Sequence, residues 1–116
     1  MKEKITYIET SKGVYPMSFN LNVMEEIQEQ YGSMQKWGEI VQGEGEPKIK
    51  DLKNGLLAMI NEGIDIVNEF GEEKRPFVNS KQVGRIISEV GFTEITTKIK
   101  ELTINSTKTD EEEKNV

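Results

Sequence analysis

The stretch from Lys50 to Phe70 constrains this chain more than any other. Its apolar residues Leu52, Leu56, Met59, Ile60, Ile64, Val67 and Phe70 recur at helical spacing. They form one broad stripe, while Lys53, Asn54, Asn61, Glu62, Asp65, Asn68 and Glu69 fall mostly on the other side. Asp51 suits the positive end of a helix dipole, and Gly71 is a natural stop. A helix of this length spans roughly 30 Å, the width of a small domain. With so wide an apolar face it needs partners on more than one side, so the remaining elements are read by asking how they cover it.

Ahead of it, residues 4 to 9 are rich in β-branched and aromatic types, Ser11-Lys12-Gly13 is a turn, and Val14 to Phe19 reads as a second strand. Pro16 cannot donate to a ladder, which confines its strand to an edge. A lone hairpin is marginal in water, so this one must lie on the helices. Asn22 with Glu25 has the form of a reciprocal helix cap, and Asn20 competes for the same role. Val23, Met24, Ile27 and Tyr31 supply that helix's apolar face, and Gly32 ends it. Ser33 caps a two-turn helix carrying Met34, Trp37, Ile40 and Val41.

Gln42 to Lys48 is the main loop, and Gly71 to Pro76 a second, after which Phe77-Val78 is expected to tuck onto the core. Asn79 or Ser80 opens a helix with Val83, Ile86, Ile87 and Val90 inward, closed by Gly91. A last helix starts at once and carries Ile95, Ile99 and Leu102, to about Ile104. From Asn105 onward the chain is polar and acidic, which predicts a disordered tail over residues 105–116. The fold expected is mainly α with a small β component (α+β): one domain over residues 1–104, with a short N-terminal hairpin packed on a bundle of about five helices around the long central one.

The chemistry is bounded by what is missing. There is no Cys and no His, which removes disulfides, thiolate nucleophiles, thiolate zinc sites and imidazole acid–base chemistry. The net charge of −6 offers no surplus of cations to displace counterions from phosphates, so nucleic acid is not expected as a partner. No run approaches a membrane span and the first residues lack an apolar signal core, which predicts a protein that stays in the cytoplasm. Asp51-Leu-Lys-Asn54-Gly55 fails as a calcium loop because Leu and Lys occupy ligand positions. Gly43-Glu-Gly45 fails as a phosphate loop because no Lys-Ser/Thr follows and its acids repel phosphate. No catalytic constellation, metal site or cofactor motif is found, so no enzyme is expected. What remains is a set of flexible or aromatic apolar residues on short elements: Met17, Met24, Met34, Trp37, Ile40 and Val41. They close the core or form an adaptable partner-binding surface, since Met is polarisable and Trp is favoured at interfaces.

The order of features carries a resemblance. Tyr15-Pro-Met-Ser-Phe19-Asn is followed by Met24 to Ser33 ending in Tyr-Gly-Ser, then Trp37, a loop, Leu52 to Gly63, and Ser80-Lys-Gln-Val-Gly-Arg-Ile-Ile87. From about residue 5 to 104 this resembles the tail assembly chaperones of long-tailed phages and prophages. The resemblance implies a non-catalytic protein of the host cytoplasm that binds the tape-measure protein before the tail tube polymerises around it. In many such systems the shorter chaperone is extended by a programmed frameshift near its C-terminus, and Asp110 to Val116 is where an extension would attach. The other reading is a structural virion protein, a tail completion or head–tail connector subunit. Self-association suits both, through an edge strand or a spare helix face.

Overall fold

The computed structural model describes residues 5–46, 48–72 and 74–114, with side chains described up to residue 104. A two-stranded antiparallel hairpin, β1 (Thr6–Thr10) and β2 (Gly13–Met17), precedes five helices. These are α1 (Leu21–Tyr31), α2 (Met34–Gln42), α3 (Ile49–Phe70), α4 (Ser80–Val90) and α5 (Phe92–Lys114). The expected α+β architecture, a hairpin on helices around a long central one, is the one observed. The hairpin, α1, α2 and α4 all contact α3, while α5 packs on α4.

Pairing runs from Thr6 opposite Met17 to Thr10 opposite Gly13, leaving Ser11 and Lys12 as the turn. Alternation along β1 sends Ile8 into the core and leaves Tyr7 and Glu9 outside. Burying Ile8 and Met17 on α3 contributes roughly 1.5–3 kcal/mol each, which a bare hairpin lacks. Pro16 pairs with Tyr7 and is buried; in a two-stranded sheet both strands are edges, so its missing donor is tolerated. The second strand is shorter than the expected Val14–Phe19. Ser18 leaves the ladder and donates its N–H to the Met59 carbonyl of α3 at 3.0 Å.

That bond depends on Gly63. In a helix the Met59 carbonyl faces the residue one turn on, and at Gly63 no side chain shields it. The β2 backbone fills the gap: a Cβ at Gly63 would lie 2.7 Å from Pro16 C and 2.8 Å from Met17 N. Eight residues earlier, Gly55 accepts the Trp37 ring of α2, and a Cβ there would lie 2.6 Å from Cε2. Glycine in a helix interior costs about 1 kcal/mol against alanine. Here two such residues let a strand and an indole approach the helix axis.

The caps follow sequence chemistry. Asn20, rather than Asn22, caps α1, its Oδ1 accepting from the N–H of Asn22 (3.1 Å) and Val23 (3.3 Å). Gly32 adopts φ +92°, a conformation L residues avoid, and turns the chain so that Ser33 caps α2 by accepting from Lys36 N–H at 3.0 Å. Asn79 and Gln82 form a reciprocal capping box on α4.

Three expectations are corrected. Phe70, assigned to the apolar stripe of α3, is 84% exposed, because α3 outruns the hairpin that crosses it at Gly63. Ile66 is buried near that end instead, and Val67 is half-buried. Phe77 does not tuck inward: it is 57% exposed, and its neighbour Val78 alone enters the core. The α5 backbone stays helical through Lys114, beyond the expected end near Ile104, although its last buried residue is Leu102. The expected disorder of residues 105–116 falls on side chains outside the described set.

Replacing Gly63 by Ala gains about 1 kcal/mol of helix propensity but forces backbone apart, a cost of about 1–3 kcal/mol, so the urea midpoint should fall. Gly38→Ala in α2, where a Cβ meets nothing within 4 Å, should raise it. A Gly63→Ala protein as stable as the parent would mean that β2 does not press on α3.

Candidate docking surfaces

Two of the six residues singled out for partner binding are sealed in the core: Met17 is fully buried and Trp37 is 3% exposed. In this fold they present no surface. Met34 and Val41 are half-buried and pack against the core, and Met24 and Ile40 are half-buried on α1 and α2. The six are therefore not gathered into one open patch.

Trp37 is held on every side. Its ring covers Gly55, and its indole Nε1–H donates to the Asp51 carbonyl at 2.8 Å. The carboxylate of the same Asp51 accepts from the Tyr31 hydroxyl at 2.7 Å, and Asn54 Nδ2 donates to that hydroxyl at 2.9 Å. Asp51 thus joins the ends of α1 and α2 to the first turn of α3. Burial, reinforced by the hydrogen bond to Asp51, raises the Tyr31 pKa above its ordinary value, while Asn54 opposes the shift. The proton stays on Tyr31 at neutral pH, so the cluster is a clamp in which the phenol donates.

A second pair of ties shapes the opposite end. Asn61 reads the backbone of Val78 in both directions, Nδ2 donating to its carbonyl at 3.1 Å and Oδ1 accepting its N–H at 2.8 Å. Asn68, two turns on, does the same to Arg75, with both bonds at 2.9 Å. Arg75 in turn donates to the Val14 carbonyl at 2.9 Å and stacks over the Tyr15 ring at 5.3 Å. The α3–α4 connection is thereby bound to α3 through its main chain, with no need to bury Phe77.

Between α1 and α3 this leaves an open groove of about 200 Å³, lined by Asn22, Val23, Glu26, Ala58, Asn61, Glu62, Asp65 and Phe77. Phe77 is a half-exposed aromatic wall, and Leu21, 78% exposed, precedes Asn22 at the head of α1. Glu62 accepts from Asn20 Nδ2 at 2.5 Å and Asn22 Nδ2 at 3.1 Å. The carboxylates of Glu26 and Asp65 make no hydrogen bond or ion pair among the described residues. The groove is acidic and apolar together. Sequence reading missed it, because Phe77 was assigned inward and Glu62 and Asp65 were placed opposite the apolar stripe of α3. The detectable signal was the pair of asparagines seven apart on α3, opposite a loop with little apolar content of its own.

A second, wider groove of about 680 Å³ lies between α3 and α4, lined by Ile49, Lys53, Lys81, Gly84, Arg85, Ser88 and Glu89. Among the described residues no cluster of acidic side chains is placed to hold a metal ion, and no helix is long and apolar enough to cross a membrane. Comparison with protein-family models, curated proteins and solved structures gave no match.

Trp37→Ala should cost about 3–5 kcal/mol in chemical denaturation, since nothing flexible can refill the hollow over Gly55. Tyr31→Phe should cost about 1 kcal/mol at neutral pH. Because its pKa is raised on folding, the contribution from Tyr31 is intact below the ordinary tyrosine value of 10.0 and is lost as pH rises above it. The alkaline limb of a stability–pH curve should therefore be shallower in Tyr31→Phe; identical limbs would show that Tyr31 does not titrate differently in the two states.

Proposed function

We propose that the protein is a non-catalytic binding protein that holds an amphipathic helix of another polypeptide, and that it acts as a tail assembly chaperone for the tape-measure protein of a long-tailed phage or prophage. The observation carrying this reading is the α1–α3 groove, where exposed Phe77 stands beside the free carboxylates of Glu26 and Asp65. An apolar wall flanked by acids suits a helix whose apolar stripe is bordered by Lys or Arg, the helix-in-groove mode of recognition. The choice of client rests on the sequence resemblance alone. A tape-measure protein is a long helical chain prone to aggregate before assembly, and covering part of its apolar stripe would keep it soluble.

Co-expression with the cognate tape-measure protein should move that protein from the pellet to the soluble fraction. Phe77→Asp and the double change Glu26→Lys with Asp65→Lys should abolish the effect while shifting stability by no more than about 0.5 kcal/mol, as expected at exposed positions. The chaperone should be missing from purified virions by mass spectrometry. Its presence there at fixed stoichiometry would favour a structural tail completion or connector subunit, and unchanged client solubility would remove the chaperone reading altogether.

A further inference from the structure

The chain carries 21 acidic against 15 basic residues, yet the groove between α3 and α4 is walled by cations. Lys81 and Arg85 lie one turn apart on α4, a like-charge spacing that destabilises a helix unless something answers it. Lys53 reaches over from α3. Its end lies against Gly84, where a Cβ would meet Lys53 Cε and Nζ at 3.4 Å, ordinary contact distance. None of the three side chains makes a hydrogen bond or ion pair among the described residues. Among the described residues the one acid lining the groove, Glu89, is turned to the hairpin, where it accepts from Ser11 N–H at 2.6 Å and Ser11 Oγ at 2.9 Å. Beyond it a smaller hollow, lined by Thr10, Lys12, Tyr15, Gln82, Arg85, Ile86 and Glu89, continues the groove and adds the Lys12 cation.

We propose that this groove is a second docking site, separate from the α1–α3 groove, and that it takes an acidic segment of a partner polypeptide. The run from Lys53 through Lys81 and Arg85 to Lys12 spans two adjoining hollows, a length suited to several carboxylates in series. Ile49, 54% exposed on one wall, offers an apolar contact beside them, which a mixed acidic and apolar peptide uses and an inorganic anion does not. A nucleic acid fits less well. Its phosphates extend past the groove over a surface whose net charge is −6, where repulsion acts within a Debye length of about 8 Å. A short acidic segment places its charge only against the cations.

The test is fluorescence anisotropy on the full-length protein, with a labelled peptide alternating Glu and Leu as the probe. Controls are the same peptide with Gln for Glu and a thymidine oligonucleotide. The acidic peptide should bind and weaken with added salt, and the Gln peptide should not bind. K81Q/R85Q should weaken binding about 10-fold. K36Q/K100Q, which removes the same charge from exposed positions elsewhere, should leave it within about twofold. Unaltered melting temperatures for both double variants make the comparison one of binding alone. The proposal is overturned if the peptide fails to bind, if both double variants lose affinity equally, or if the oligonucleotide displaces the peptide and needs the same two residues. Binding that emerges only after removal of residues 106–116 would give the groove to the chain's own acidic end and overturn the assignment to a partner.

Discussion

The passage of β2 across Gly63 is the contact from which the other placements follow. A two-stranded hairpin is marginal on its own, and among the described residues its broadest support is α3. The absence of a side chain at Gly63 brings the strand backbone down to the helix and lets Ser18 share the Met59 carbonyl. Once the strand is fixed there, Ile8 and Met17 reach the core, the turn at Ser11 meets Glu89 of α4, and the Tyr7 carbonyl meets Lys98 of α5 at 3.1 Å. The hairpin is thus the brace that sets α4 and α5 relative to α3. Helix-to-helix packing alone would leave that relation to side-chain volume.

A different device sets the other side of α3. Residues 74 to 79 have no regular structure, yet Asn68 and Asn61 satisfy the main chain of Arg75 and Val78 as a neighbouring strand would. With its donor and acceptor both held by Asn61, Val78 is fixed inward while its neighbour Phe77 faces out. The exposure of that aromatic ring follows from how the backbone is tied. A similar economy operates at Asp51, whose carbonyl and carboxylate separately hold Trp37 and Tyr31.

Much of the architecture was readable because it is written in periodicity and caps. The 3.6-residue stripe of α3, the caps at Ser33 and Asn79 and the stops at Gly32, Gly71 and Gly91 all sit where local chemistry demands them. The choice between Asn20 and Asn22 was open to sequence because both have the right side chain; contact with Glu62, forty-two positions from Asn20, accompanies the solution. Phe70 and Phe77 were misplaced for a related reason. Hydrophobicity assigns a residue to a core but does not say where its partners run out. The docking residues were the least legible. Met and Trp on short elements read as core or as interface, and only the hollow over Gly55, a tertiary feature, decides that Trp37 is core.

The two grooves differ in kind as well as in charge, and that bears on what each can do. Phe77 stands between Pro76, whose φ is fixed, and Val78, whose backbone is held at both its donor and its acceptor. An aromatic side chain presented from so constrained a backbone loses little conformational freedom when a partner covers it, so more of the contact energy survives as affinity. The cations of the α3–α4 groove stand on long flexible stems and lose more on being fixed, which suits recognition governed by charge and salt more than by shape. On the docking proposed for the two grooves, one face of α3 would serve a well-defined apolar contact and another an adaptable electrostatic one. In the proposed role of holding an extended client, a rigid anchor would set register while a looser charged contact would let neighbouring chain move.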